Sequence, residues 1–154
     1  YKRQPFYRLK DRLPLPSEDE TAEMYLKTVD RLESMGIMQY EISSFAKPGF
    51  GSRHNIKYWK LVPYLGLGKS AHSFWGGKRF HYDADFNKID DGTGGDAEEQ
   101  IMLGLRLKSG IDEALLKADA SAYVSAGFME RRGSKINFTP KGFLVSNTII
   151  SELI

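Results

Sequence analysis

The sequence contains no cysteine among its 154 residues. Disulfides, thiolate zinc sites and an iron–sulfur cluster held entirely by this chain are therefore excluded. No apolar run reaches the length of about 18 residues typical of a membrane-spanning helix, and residues 1–16 lack the apolar core of a signal peptide. We expect a soluble cytoplasmic protein without stable membrane insertion.

The chain has no large excess of basic or acidic residues. The chain has 22 basic and 20 acidic residues and a formal charge of +2, which gives no argument for a nucleic-acid or membrane-surface partner. Its hydrophobic content of 41% is enough for one core. One domain, or one and a half, is expected.

The pattern of the first 35 or so residues indicates a connecting segment followed by a helix. Residues 1–16 are basic, aromatic and interrupted by three prolines, which favours extended or turn backbone, and their abrupt opening suggests a fragment. Ser17 and Glu20 form a capping-box pattern, and apolar residues then recur at helical spacing as far as Gly36. A helix over about 18–35 is predicted.

Short strands and turns are predicted over the next 60 residues. A strand over 37–43 follows the helix directly, an order typical of α/β sheets and barrels, and the loop 46–52 leaves its carboxyl end, where such folds usually bind ligands. A second strand is expected over 64–67. Gly76-Gly77 predicts a hairpin joining Ser73–Trp75 to Arg79–Tyr82.

The polar, glycine-rich segment from Asp83 to Asp96 is the best candidate for a domain boundary. Beyond it the pattern predicts a helix over 98–108, one or two short helices within 112–126 and a two-stranded wing over 129–138. Thr139 then caps a helix that has Pro140 at its first position. This order resembles a winged-helix module.

The stretch from Tyr40 to Phe74 concentrates the residues suited to binding. It holds two of the three histidines, and both tryptophans lie in it or one residue past it, among closely spaced glycines. Aromatic rings offer flat apolar surface, histidine offers a ligand nitrogen, and glycine allows close backbone approach. The combination predicts a pocket without identifying its ligand.

Several motifs resemble one family closely, and together they cover nearly the whole chain. They are RLPLP (12–16), YEISSFAKPG (40–49), SRHNIKYW (52–59), YLGLG (64–68), SAHS (70–73), MLGLR (102–106) and TPKGFLVSN (139–147). They resemble the C-terminal part of HemW-type proteins, which are radical S-adenosylmethionine (SAM) proteins related to oxygen-independent coproporphyrinogen III oxidase. The HNxxYW motif favours the haem-chaperone branch over the oxidase branch.

The resemblance implies an architecture and a set of cofactors. The expected fold is α/β, with the last βα units of a partial (β/α) barrel in residues 1–82, a linker over 83–97 and a winged-helix-like domain over 98–154. The family binds a [4Fe–4S] cluster and SAM through a CxxxCxxC loop, which this chain lacks. The fragment alone is therefore expected to be inactive, with no catalytic residue of its own, and to self-associate through its open edges.

The resemblance also suggests the binding residues. Haem or porphyrin is expected at His54, Asn55, Tyr58, Trp59 and Arg53, with His54 as the iron ligand. Cofactor contacts are expected at Gly66, Gly68, Ser70 and His72. A haem-accepting protein is a possible partner.

Three departures from the family pattern stand out. The stretches 90–98 and 111–127 are shorter than usual, either through deletion or through residues missing from the sequence. Lys69 stands where a smaller or imino residue is expected, and it either places a positive charge at the pocket mouth or points into solvent.

Simpler interpretations remain open for each residue. His54 could cap a short helix, with Tyr58 and Trp59 filling the barrel end. His72 is expected to hydrogen-bond a neighbouring carbonyl, and His81 to lie at the surface. Glu41 and Arg53 could pair with each other or meet porphyrin propionates.

Two alternatives to a haem chaperone follow from the same residues. One is genuine oxidase activity, which decarboxylates propionates to vinyl groups through a 5′-deoxyadenosyl radical. The other is a non-catalytic interaction module. Basic residues in the wing suggest phosphate contacts (Arg131, Arg132, Lys135 and Lys141), but the balanced charge argues against nucleic acid.

Overall fold

A computed structural model describes residues 5–9 and 12–154, without the side chain of Phe6. It is a mixed α/β structure with seven α-helices in the described part: α1 Pro5–Arg8, α2 Glu18–Ser34, α3 Arg53–Trp59, α4 Ala97–Gly104, α5 Ser121–Ser125, α6 Pro140–Leu144 and α7 Ser146–Leu153. Its strands are β1 Met38–Glu41, β2 Ser44–Ala46, β3 Ser73–Trp75, β4 Lys78–Tyr82, β5 Lys88–Thr93, β6 Ile111–Asp112, β7 Met129–Arg132 and β8 Lys135–Phe138.

The strands form three small antiparallel sheets. Their orders are β1-β2, β3-β4-β5 and β6-β8-β7. Within residues 5–9 and 12–154, no helix combines the length and apolar character needed to cross a membrane.

Helix α2 begins with the predicted capping box. The Glu20 backbone N–H donates to the Ser17 hydroxyl oxygen at 3.2 Å, and the Ser17 N–H donates to the Glu20 carboxylate at 2.8 Å. The helix ends next to Gly36, whose φ of 75° reverses the chain. The predicted helix is confirmed to within one residue. In the preceding segment, α1 replaces part of the expected extended backbone, while residues 1–4, 10 and 11 lie outside the described part.

The predicted strand over 37–43 is confirmed as β1, but it turns directly into β2, which was not predicted. Three residues are too few for an alternating pattern to be recognised. The loop 47–52 therefore leaves β2 rather than β1. The hairpin is tied to the chain after α4, because Ile42 N–H donates to Arg106 O at 2.9 Å and Lys108 N–H donates to Tyr40 O at 3.1 Å.

The second sheet partly differs from expectation. The Gly76-Gly77 hairpin is confirmed, whereas the strand predicted over 64–67 is wrong: only Tyr64 forms a bridge, with Phe74. The following backbone packs closely on the chain, because a Cβ at Gly66 would stand 2.3 Å from the His72 carbonyl oxygen. The expected linker contains β5, an exposed edge strand whose aspartates and glycine hide the strand pattern.

The third sheet and the flanking helices surround the main hydrophobic core. Helix α4 ends at Gly104, four residues before the predicted end, where a Cβ would stand 2.4 Å from Ile111 Cγ2. The two strands predicted over 129–138 are confirmed as β7 and β8, and the Thr139 hydroxyl accepts from Gly142 N–H to cap α6. The core consists of Ile101, Leu105, Ile111, Ala120, Met129, Ile136, Phe138, Phe143, Ile149, Ile150 and Leu153.

Candidate functional site

A cavity of about 410 Å³ lies between helix α3, the β1–β2 turn, strands β3 and β4, and helix α4. Six of its twelve lining residues are aromatic or aliphatic and six are polar or charged, so the cavity combines apolar surface with groups that can orient a ligand. The lining residues are Glu41, Ser43, Ser44, Asn55, Tyr58, Trp59, Leu61, Tyr64, Phe74, Arg79, Glu99 and Leu103.

Helix α3 brings three of the predicted haem-binding residues to this cavity. Ser52 caps the helix by accepting a hydrogen bond from Asn55 N–H at 3.2 Å. Residues three or four apart share a helix face, so Asn55, Tyr58 and Trp59 reach one wall. The Tyr58 ring then meets the Tyr64 ring edge to face at 4.6 Å.

His54 lies beside the cavity without lining it. Its Nε2 is hydrogen-bonded to the Tyr58 hydroxyl at 3.1 Å, and the two rings are 5.0 Å apart. The suggestion that His54 caps the helix is wrong, because Ser52 does so. The histidine is exposed and lies one helical turn before Tyr58, which lines the cavity.

The expected pairing of Glu41 with Arg53 does not occur among the described residues. Glu41 is only 2% exposed, and its carboxylate accepts from the Ser43 N–H at 3.2 Å and the Ser43 hydroxyl at 3.4 Å. Arg53 is exposed in the first turn of α3 and does not line the cavity.

An ion pair that the sequence did not indicate closes another wall. Arg79 on β4 donates to Glu99 on α4 at 2.5 Å, and its guanidinium lies 4.8 Å from the centre of the Phe74 ring. Glu99 also accepts from Gly95 N–H at 2.6 Å. Because the two residues are 20 positions apart and carry no local motif, sequence periodicity could not associate them.

The predicted cofactor contacts gather elsewhere. None of Gly66, Gly68, Ser70 and His72 lines the cavity. Gly66 is needed for close approach to the chain's own backbone, and Ser70 N–H donates to Tyr82 O at 2.7 Å. Their assignment stays a prediction.

Two histidine predictions are corrected by the contacts around Asp91. His72 Nδ1 is 3.0 Å from the Asp91 carboxylate, so its partner is an acid and not a backbone carbonyl. His81 is mostly covered, with 23% of its side chain exposed, and it contacts the same carboxylate. These hydrogen bonds, chiefly that from His81, lower the pKa of Asp91.

Comparison with known proteins connects this geometry to a family. The chain is 32% identical to the heme chaperone HemW of Bacillus subtilis over 97% of its own length, and 30% identical to that of Lactococcus lactis over 92%. It is 40% identical over 68% of its length to the mouse mitochondrial radical S-adenosyl methionine domain-containing protein 1. Over nearly its whole length, the chain is thus similar to HemW heme chaperones.

The HemW match concerns part of each relative. The chain spans about half the length of the curated relatives it matches, 47% and 44% for the two bacterial chaperones. No protein-family model and no solved structure matches it. The HemW-type resemblance drawn from the motifs is confirmed.

The radical SAM name implies a [4Fe–4S] cluster, and this HemW-type chain does not fit one. Cluster irons in this class are held by cysteine thiolates, and the chain has no cysteine. Its own residues therefore cannot supply a cluster site, and no reaction step is assigned to them.

The wing of the HemW-type chain is not a free basic surface. Arg131 donates to the Glu113 carboxylate from Nε at 2.8 Å and from Nη2 at 2.7 Å, and Arg132 donates to Glu130 at 2.9 Å. Lys141 lies 4.5 Å from the centre of the Phe128 ring. The hydrogen bond from Arg131 lowers the pKa of Glu113. Three of the four basic residues that suggest phosphate contacts, Arg131, Arg132 and Lys141, are thus engaged by neighbouring groups of the chain.

Proposed function

We propose that this chain is the C-terminal part of a radical SAM haem chaperone of the HemW type, and that it binds haem at the aromatic cavity beside α3. The observation that carries the proposal is that three residues of the HNxxYW motif, Asn55, Tyr58 and Trp59, line one cavity. The bacterial relatives bear the name heme chaperone.

The cavity suits a flat apolar ligand. Tyr58, Trp59, Tyr64 and Phe74 provide ring surfaces on which a porphyrin can pack. Imidazole is a common axial ligand of haem iron, and His54 is exposed at the edge of the cavity. To bind iron through Nε2, His54 must give up its hydrogen bond to the Tyr58 hydroxyl.

Charge indicates how the porphyrin would be oriented. The cavity contains the carboxylates Glu41 and Glu99 and the single cation Arg79, which is already paired with Glu99. Propionates would be repelled from this interior and would point outward. Arg53, exposed at the start of α3, offers them a guanidinium.

The proposal extends to domain organisation. Residues 1–82 would complete a partial (β/α) barrel together with strands of the parent protein, residues 83–97 would link the two parts, and residues 98–154 would form the winged-helix-like domain. The concentration of the hydrophobic core after Ala97 supports this division. Cytoplasmic location, haem transfer to an acceptor protein and self-association of the isolated chain belong to the same proposal.

Haem titration of the chain tests the proposed site. We expect the Soret band to shift on binding to the wild type, and the His54→Ala variant to lose the histidine-ligated spectrum and bind more weakly. Lys57→Ala, an exposed change on the same helix, is the matched control and should leave both unchanged.

A second variant tests the Tyr58 hydrogen bond. Tyr58→Phe keeps the ring but releases His54 Nε2, so haem affinity should stay equal or rise, whereas Tyr58→Ala should reduce it. An identical spectrum and affinity in His54→Ala would remove His54 as the ligand and overturn this assignment.

A further inference from the structure

Two histidines and one aspartate converge at one end of the second sheet, away from the aromatic cavity. His72 Nδ1 lies 3.0 Å from Asp91 Oδ2, and His81 Nδ1 lies 2.9 Å from the same oxygen. The three potential ligand atoms all lie within 4.8 Å of one another. None of the three residues lines the cavity beside α3.

The strand register explains why these side chains meet. Ser73 on β3 is paired with Phe80 on β4, so His72, one position earlier, stands opposite His81. Their ring centres are 4.7 Å apart. Cross-strand neighbours at this separation share one face of the sheet.

A β-bulge supplies the third group. Arg79 is paired with Gly92 and Phe80 with Asp90, which leaves Asp91 as the extra residue of β5. Bulges re-aim side chains and often occur beside functional sites. Asp91 has no paired residue on β4, and its carboxylate contacts the two imidazoles.

We propose that His72, His81 and Asp91 bind a divalent transition-metal ion such as Zn²⁺. Two imidazole nitrogens and one carboxylate oxygen form a ligand set common to zinc sites that keep a fourth position open. Donor atoms on one tetrahedral zinc ion lie about 3.3 Å apart, close to the present nitrogen–oxygen separations. The His72 side chain is 63% exposed and has the freedom to adjust.

The geometry also fixes the proton changes on binding. A carboxylate only accepts hydrogen bonds, so in the metal-free state both imidazoles hold a proton on Nδ1 and donate it to Asp91. A metal bound at Nδ1 would displace this proton, and each coordinated imidazole would then carry one proton, on Nε2.

Zinc and cobalt titration of the haem-free chain tests the site. Calorimetry should detect about one Zn²⁺ per chain, and Co²⁺ should give the visible absorption of a four- or five-coordinate site. Asp91→Asn keeps the shape of the side chain but removes its charge, and we expect a loss of affinity of ~10–100-fold or more. Asp85→Asn, an exposed change of the same type in the preceding turn, should bind as the wild type does.

A second variant guards against a folding defect. Since His72 is exposed at the end of the strand, His72→Ala should keep the circular dichroism of the wild type while losing the cobalt spectrum. Absence of zinc binding by the wild type would overturn the proposal. So would wild-type affinity in His72→Ala and Asp91→Asn, because it would place the metal elsewhere.

Discussion

Two regions of the molecule bury different kinds of side chain. We call residues 97–154 the C-terminal region and residues 38–96 the site region. All eleven residues of the main hydrophobic core fall in the C-terminal region. The site region buries only Gln39, Glu41, Ser73 and Phe74, of which three are polar. Since burial of apolar surface supplies most folding free energy, stability is concentrated in one region and candidate binding groups in the other.

The exposed apolar side chains reinforce this contrast. Phe50, Leu67 and Phe86 in the site region are 80%, 92% and 61% exposed. The exposed large apolar side chains of the C-terminal region, Leu115, Leu144 and Val145, are at most 53% exposed. The site region thus keeps open the surface that the C-terminal region has used for its own packing.

The largest expected effect comes from shortening a core side chain. Phe138 is fully buried, so Phe138→Ala should reduce the free energy of unfolding by about 3–5 kcal/mol. Phe50→Ala, in the site region, should change it by less than about 0.5 kcal/mol. Urea unfolding followed by circular dichroism compares the two. If Phe138→Ala does not fold, the milder Phe138→Leu still has to be less stable than Phe50→Ala, and equal effects would contradict the contrast between regions.

Alanine substitutions at two glycines with positive φ distinguish the cost of a steric clash from the cost of backbone strain. A Cβ at Gly110 would stand 2.1 Å from the Ile136 carbonyl oxygen, whereas Gly68 has nothing within 4 Å. Gly110→Ala should cost about 2–4 kcal/mol, from left-handed strain together with the clash, and Gly68→Ala only about 1–2 kcal/mol from strain. Equal losses in thermal unfolding would show that the site region is as closely packed as the C-terminal region at these positions.

The smallest effect is a pH dependence in the wing. Arg131 lowers the pKa of Glu113, so the native state binds fewer protons than the unfolded state. The stabilisation of the native state by the Arg131–Glu113 pair is complete above the ordinary glutamate pKa. It is lost as the pH falls through the lowered pKa that Glu113 has in the native state. The wild-type melting temperature should therefore fall more steeply than that of Glu113→Gln below about pH 5. Glu18→Gln, a matched change on α2, should keep the wild-type slope.

Local chemistry allowed much of the fold to be predicted. The Ser17–Glu20 capping box, the Gly76-Gly77 turn and the Thr139-Pro140 start each act within a few residues, and all three are confirmed. Strand β5 was missed because it is polar and exposed along its whole length, so no alternation reveals it. The strand expected over 64–67 is reduced to a single bridge between Tyr64 and Phe74, a long-range pairing that local preference does not determine.

The candidate site could be predicted only where its residues share one helix. Asn55, Tyr58 and Trp59 reach the cavity through helical spacing. The Arg79–Glu99 pair depends on a contact between strand β4 and helix α4, and the cluster at Asp91 depends on strand pairing with a bulge of one residue. A sequence pattern does not encode such a register shift, because it arises from the pairing itself.

The most direct test of the central proposal is a crystal structure of the chain bound to haem, with the iron located by its anomalous scattering. We expect the porphyrin to pack against Tyr58 and Trp59 at the cavity and the iron to lie within bonding distance of a His54 nitrogen. Iron bound at His72 or His81, or a porphyrin that leaves the cavity empty, would contradict the account.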